Sequence, residues 1–285
     1  MSIQSLSILV PCGNHCWNNC SFCVSRAHSE NYGQSIITAN NIPQSYLDRV
    51  QFARDAGCDS LILTGTTEPQ QNLPFIYRFL NLNRTLRTPF YNITIQTTGS
   101  GITQAELERM SMAGINTLAL SVSSFNDTTN WNIIHTPGNR RILSLVSLIS
   151  YAKYYNMNIR LCINLTDAFI NYHPKDFFEY ATLNHVDQLT FRKIYSTNSG
   201  PQADWIAAHE FPEEKFKEIN NYVCKTGKPI NRLPFGAIKY DVNGISTVVD
   251  DDCMSQHNIE EIRYYILRDN GHLYSRWDST ASLIF

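Results

Sequence analysis

The sequence predicts an α/β fold in which six strand–helix units close only part of a barrel, with a small antiparallel β appendix at the C-terminus. Three observations carry this. Short apolar runs alternate with helix-period segments over the first two thirds of the 285 residues, the pattern of a parallel sheet. Six such units fall short of the eight that complete a barrel. After about residue 233 the helical pattern stops, and Asn243-Gly244 and Asn270-Gly271 mark two hairpins. The expected division is 1–232 for a partial (β/α)6, TIM-like barrel and 233–285 for a β-rich cap packed on it.

Residues 5–10 form a short apolar strand, followed by a loop carrying four cysteines. Residues 43–56 read as a helix, with Pro43 at its first turn and Gly57 just past its end. Residues 60–63 are a buried strand, and 72–86 a helix with Phe75, Ile76, Phe79 and Leu80 at helical spacing. A strand follows at 91–96. Thr103 and Glu106 make a capping-box pattern for a helix that stops at Gly114. Strand 117–122, helix 141–155, strand 159–165, helix 174–183, strand 188–194 and helix 212–225 complete the units. No internal repeat or low-complexity tract interrupts them.

Composition narrows the function. Hydrophobic residues make up 43% of the chain, enough for a large core, and exclude a disordered chain. The formal charge of −2 gives no sequence-wide reason to expect nucleic-acid binding. No run reaches the ~18 apolar residues of a membrane span. The first ten residues lack the basic start of a signal peptide, so the expected compartment is the cytoplasm. There, eight cysteines are thiols, metal ligands or catalytic groups rather than disulfides.

The cysteine loop is the sharpest feature. Cys16, Cys20 and Cys23 have the spacing C-x3-C-x2-C. A short loop brings three thiolates to one place. Zinc normally asks for a fourth ligand from a second pair, and Cys58, Cys162, Cys224 and Cys253 are scattered. A four-iron cluster normally takes four cysteines, so three leave one iron open for a non-protein ligand. Cys12 offers a second register, C-x3-C-x3-C, and is read as a buried thiol at the strand end.

The run Cys16-Trp17-Asn18-Asn19-Cys20-Ser21-Phe22-Cys23, placed directly after the first strand, resembles the radical S-adenosylmethionine (radical SAM) superfamily. The resemblance implies a [4Fe–4S] cluster held by Cys16, Cys20 and Cys23, whose open iron binds the amino and carboxylate groups of SAM. One-electron cleavage of the carbon–sulfur bond then gives methionine and a 5′-deoxyadenosyl radical that abstracts hydrogen from substrate. It also implies an electron donor such as flavodoxin or ferredoxin, and the partial barrel reached above from periodicity. Phe22, the aromatic before the last cysteine, is part of the matching motif.

The active ends of such strands are their C-terminal ends. Strand two ends Thr64-Gly65-Thr66-Thr67-Glu68-Pro69, similar to the family's G-x-G-E-P turn with Thr67 replacing the second glycine. Read alone it is an ordinary βα turn; in the family it implies contact with SAM by Gly65, Thr66, Thr67 and Glu68. Ser121 and Ser123 share one face at the end of strand four, where the family implies a SAM contact. Arg160, Cys162 and Asn164 share a polar face of strand five, and Asn164 at its end is a candidate for adenosine or substrate. Arg192 is a candidate clamp for a substrate carboxylate or phosphate, or else an ion-pair partner within the barrel. Gln96, Thr97 and Thr98 end strand three within reach of SAM or substrate, with Thr97 the preferred substrate contact. Asp250, Asp251 and Asp252 read as a solvated turn, and Cys253 as an inert thiol or a donor near the site.

The expected substrate is a small molecule, nucleoside or peptide. Two alternatives stand beside this: an activase of a glycyl-radical enzyme, and a non-catalytic iron–sulfur or zinc protein. A lone metal loop would have no use for the Gly65–Pro69 turn.

Overall fold

The computed structural model describes residues 3–13, 15–27, 30–134, 142–196, 199–233, 236–250 and 262–285. In chain order it contains β1 (Ser5–Leu9), α1 (Val24–Ala27), α2 (Gln44–Asp55), β2 (Ser60–Thr64), α3 (Leu73–Asn83), β3 (Asn92–Thr97), α4 (Gln104–Ala113), β4 (Thr117–Val122), α5 (Asp127–Ile134), α6 (Leu145–Tyr154), β5 (Asn158–Leu165), α7 (Pro174–Leu183) and β6 (Gln188–Lys193). Then come α8 (Pro201–Ala208), α9 (Glu213–Thr226), β7 (Lys228–Arg232), β8 (Ile238–Val242), β9 (Ile245–Asp250), β10 (Tyr264–Leu267) and β11 (Leu273–Tyr274).

Strands β1 to β6 pair in sequence order, all parallel, as the alternating units require. Their period of two sorts the side chains. Leu6, Ile8, Leu61, Leu63, Ile95, Leu118, Leu120, Leu161 and Ile163 face the helices and are almost completely buried. Burial of each such side chain contributes about 1.5–3 kcal/mol. The alternate residues face the inside of the curved sheet, where the polar positions collect.

The two C-terminal hairpins do not sit together as one appendix. Antiparallel β7–β8–β9 joins the barrel at β6 through β9, which runs parallel to it. Antiparallel β10–β11 joins the opposite edge, with β10 parallel to β1. The sheet therefore has eleven strands, in the order β11-β10-β1-β2-β3-β4-β5-β6-β9-β8-β7, and is not closed among the described residues. The boundary expected at residue 232 falls between β7 and β8, inside one antiparallel pair.

Local signals set most boundaries. Thr103 and Glu106 form the capping box of α4, and Gly114 ends the helix at φ 103°. The helix expected from residue 141 begins only at Leu145, because the Ser144 side chain accepts from Ser147 N–H and caps it there. Strand β7 and helices α1, α5 and α8 are additions to the predicted elements. Asp251, Asp252 and Cys253 lie outside the described residues.

Candidate active site

The cysteine loop is tied to the ends of β2 and β3 by a buried polar network. Asn18 donates from Nδ2 to Glu68 Oε1 (3.1 Å) and Thr98 Oγ1 (3.0 Å), and its Oδ1 accepts from Ser100 Oγ (2.9 Å). Thr97 Oγ1 donates to the second oxygen of Glu68 at 2.6 Å, and Thr98 N–H donates to the same carboxylate. Trp17 adds two anchors: its backbone N–H donates to Gln71 Oε1 and its Nε1 to Ser100 Oγ, both at 3.0 Å. Gly101 sits against the Trp17 ring, which a Cβ there would meet at 3.3 Å.

Glu68 is thus only 6% exposed, and its carboxylate faces the loop and the end of β3. Burial pushes its pKa up, and the bonds from Thr97 and Thr98 pull it back. Its place is to lock the loop to the strands. Gly65 is needed for closeness: a Cβ there would stand 3.1 Å from Thr67 O and 3.5 Å from Val10 O.

Cys16, Cys20 and Cys23 are all half-buried free thiols. Burial raises the pKa of Cys16 and Cys20, and each also feels the negative charge of Cys23. All three belong to one eight-residue stretch, and metal binding there displaces their protons. Among the described residues, no three His, Cys, Asp or Glu side chains are gathered as for a single metal ion. Three free thiols in one loop are the donor chemistry of a cluster of several irons, so the donor set fits. Cys12 Sγ lies 3.5 Å from Glu68 O, and burial raises its pKa.

A cavity of about 390 Å³ opens inside the curved sheet. Val24 and Ser25, immediately after Cys23, line it together with Gly65 and Thr66 of the β2 turn. Gln96 and Arg192 also line it, and Asp250 stands opposite Arg192 in register. Its described walls further carry Arg160, Lys239, Arg263 and Arg268, so cationic side chains outnumber the single carboxylate.

The remaining candidates fall in two groups. Thr97 is turned to the helix side of β3 and held by Glu68; its neighbour Gln96 is the residue that lines the cavity. Of the candidates at the end of strand three, Gln96 lines this cavity and Thr97 does not, because the strand period puts adjacent residues on opposite faces. Ser123 is fully buried and its Oγ accepts from Asn164 Nδ2 at 3.5 Å, while Ser121 lies two residues earlier on the same face. None of Ser121, Ser123 and Asn164 lines this cavity. Phe22 packs on Trp205 of α8, ring centroids 5.9 Å apart. Sequence reasoning missed Asn18 and Lys239. Asn18 sat inside the motif as a spacer, and Lys239 lay in a hairpin that gave no sign of which wall it joins.

Residues 10–181, more than half of the chain, match the family model described as the radical SAM superfamily. Among solved structures, the fold is similar to Streptococcus suis SuiB bound to S-adenosylmethionine, at 12% identity and a TM-score of 0.62 over 97% of this chain and 61% of that one. It is similar to native anSMEcpe with bound AdoMet, at 14% identity and a TM-score of 0.61 over 96% and 75%. It is also similar to the Escherichia coli coproporphyrinogen III oxidase HemN, a radical SAM enzyme, at 17% identity and a TM-score of 0.51 over 80% and 54%. At these identities the likeness is one of fold, and the chain spans 61% of the length of SuiB. Comparison with curated proteins finds no match.

Proposed function

The chain belongs to the radical SAM superfamily, whose cofactors are a [4Fe–4S] cluster and SAM, and on that premise we propose that it abstracts a hydrogen atom from a substrate held in the barrel cavity. The observation that carries this is the joint wall: Val24 and Ser25, which open α1 directly after Cys23, and Gly65 and Thr66 of the β2 turn line one cavity. When bound, the two cofactors supply a 5′-deoxyadenosyl radical and methionine by reductive cleavage of SAM.

The chain's residues do the positioning. Cys16, Cys20 and Cys23 hold the cluster, and Glu68 and Asn18 hold the loop at the strand ends. Backbone at Gly65, Thr66 and Thr67, with Phe22, Ser121, Ser123 and Asn164, binds SAM. Arg192 orients a substrate carboxylate or phosphate with its two-pronged guanidinium. The substrate is a small molecule, nucleoside or peptide segment. A peptide is supported by the precursor peptide SuiA on SuiB and the Cp18Cys peptide on anSMEcpe, and the cavity has the volume of a small-ligand site. A flavodoxin or ferredoxin supplies electrons. A cytoplasmic setting suits the seven described cysteines, all free, and no described helix is long and apolar enough to cross a membrane.

Anaerobically reconstituted protein is expected to hold about four irons per chain. With a strong reductant and SAM it should release 5′-deoxyadenosine and methionine. A colourless zinc-loaded protein, or S-adenosylhomocysteine as the sole product, would overturn the reading. Arg192→Lys should weaken substrate binding by about 1–3 kcal/mol through loss of the fork.

A further inference from the structure

We propose that the cavity wall shared by Arg160 of β5 and Lys239 of β8 is an anion subsite, which takes a carboxylate or phosphate group of the substrate away from the cysteine loop. This rests on the reading of the cavity as a substrate site and adds the chemical class of what it holds.

Both side chains line the cavity. Arg160 lies in the first half of β5, and its register partner on β6 is Gln188, four residues before Arg192. That places Arg160 about 13 Å of strand rise from Arg192, toward the opposite end of the barrel. Lys239 reaches the same space from β8, paired with Val248 of β9.

Among the described residues, neither cation has a carboxylate partner. Arg160 spends its Nε on the neutral Gln188 Oε1 at 2.7 Å. The carboxylate that shares a face with Lys239, Asp241, accepts from Gly244 N–H at 2.6 Å and so holds the hairpin turn. Burial disfavours both charges first; on Arg160 the Cys162 thiol then eases that cost and Arg192 adds repulsion, and on Lys239 Arg160 adds repulsion.

A half-buried guanidinium and ammonium that repel each other are costly to keep. They cost less when an anion sits between them, with a charge-assisted bond to each. Removing either charge would make the empty wall more stable. Retaining both gives the wall a strong preference for a negative group over a neutral one of the same shape.

The test measures binding alone, so it does not depend on turnover. Wild-type holoenzyme is titrated at constant ionic strength with succinate, inorganic phosphate and the neutral diamide succinamide, following tryptophan fluorescence and thermal shift. One of the anions should bind at least tenfold more tightly than succinamide, and which one does so tells carboxylate from phosphate. Arg160→Gln and Lys239→Gln should each lose tenfold or more of that affinity and should melt no lower than wild type. Lys175→Gln, an exposed charge on α7, controls for general charge loss and should bind as wild type does. Equal affinity for anions and succinamide, or unchanged anion affinity in both Gln variants, would overturn the subsite. Failure of the reading beneath it shows separately, as wild-type holoenzyme that cleaves no SAM while still binding the anion.

Discussion

Single side chains decide whether the loop can hold a cluster. Cys16 and Cys20 are raised in pKa, first by burial, so without metal the folded loop holds its thiol protons through neutral pH. Loading iron must displace those protons. Iron incorporation should therefore rise with pH and go on rising above about 8.5, the ordinary thiol pKa. Iron per chain after reconstitution at several pH values checks this, and a flat profile would contradict it. Cys16→Ala, Cys20→Ala and Cys23→Ala should each lose the iron. Cys12→Ala should keep it, because that thiol lies outside the C-x3-C-x2-C spacing.

Glu68 makes a different prediction. Glu68→Ala leaves the Thr97 hydroxyl without its acceptor in a buried place and takes one of the two acceptors of Asn18 Nδ2, at about 1–3 kcal/mol for an unsatisfied group. It should lower the midpoint of denaturant unfolding and weaken SAM binding whether or not substrate is present, since the loop loses its anchor. Unchanged SAM affinity would show that the anchor does not matter to the cofactor.

At the scale of elements, what could be read in advance was what is locally encoded. The capping box of α4 needs only Thr103 and Glu106, three residues apart, and both were visible. Thr103→Ala should cost about 1 kcal/mol of stability, read by thermal or denaturant unfolding, with SAM cleavage untouched. The hairpin of β8 and β9 was equally plain: Asn243 and Gly244 both have positive φ, at 53° and 85°. Gly244→Val puts a β-branched residue into that left-handed turn, at a cost of about 1–2 kcal/mol. Strand β7 was not legible, because all its residues are exposed and Pro229 interrupts it. Only pairing with β8 makes it a strand. The three thiols and the β2 turn were legible because a motif is a local pattern. That Gln96 rather than Thr97 lines the cavity was not, because it turns on the exact register of one strand against its neighbours.

At the scale of the whole molecule, the C-terminal segment decides how the sheet ends. Taken as an appendix, residues 233–285 could be removed and leave the barrel intact. The pairing argues otherwise. β10 lies beside β1 over four registered positions, and β9 beside β6 over five, so the segment covers both open edges of the parallel sheet. Parallel sheets are stable when buried, and a bare edge of unpaired N–H and C=O groups invites association. The same segment buries Ile266, Leu267 and Leu273 against the core and brings Lys239, Arg268 and Trp277 to the cavity. Arg268 is fixed there by stacking on Tyr32, 3.2 Å from its ring centre, and by donating to Trp277 O. A chain ending at residue 232 should therefore associate or aggregate in gel filtration and lack the cooperative melt of the full chain. If 1–232 runs as a monomer and melts within a few degrees of the intact protein, the segment is a true cap and the cavity belongs to the barrel alone.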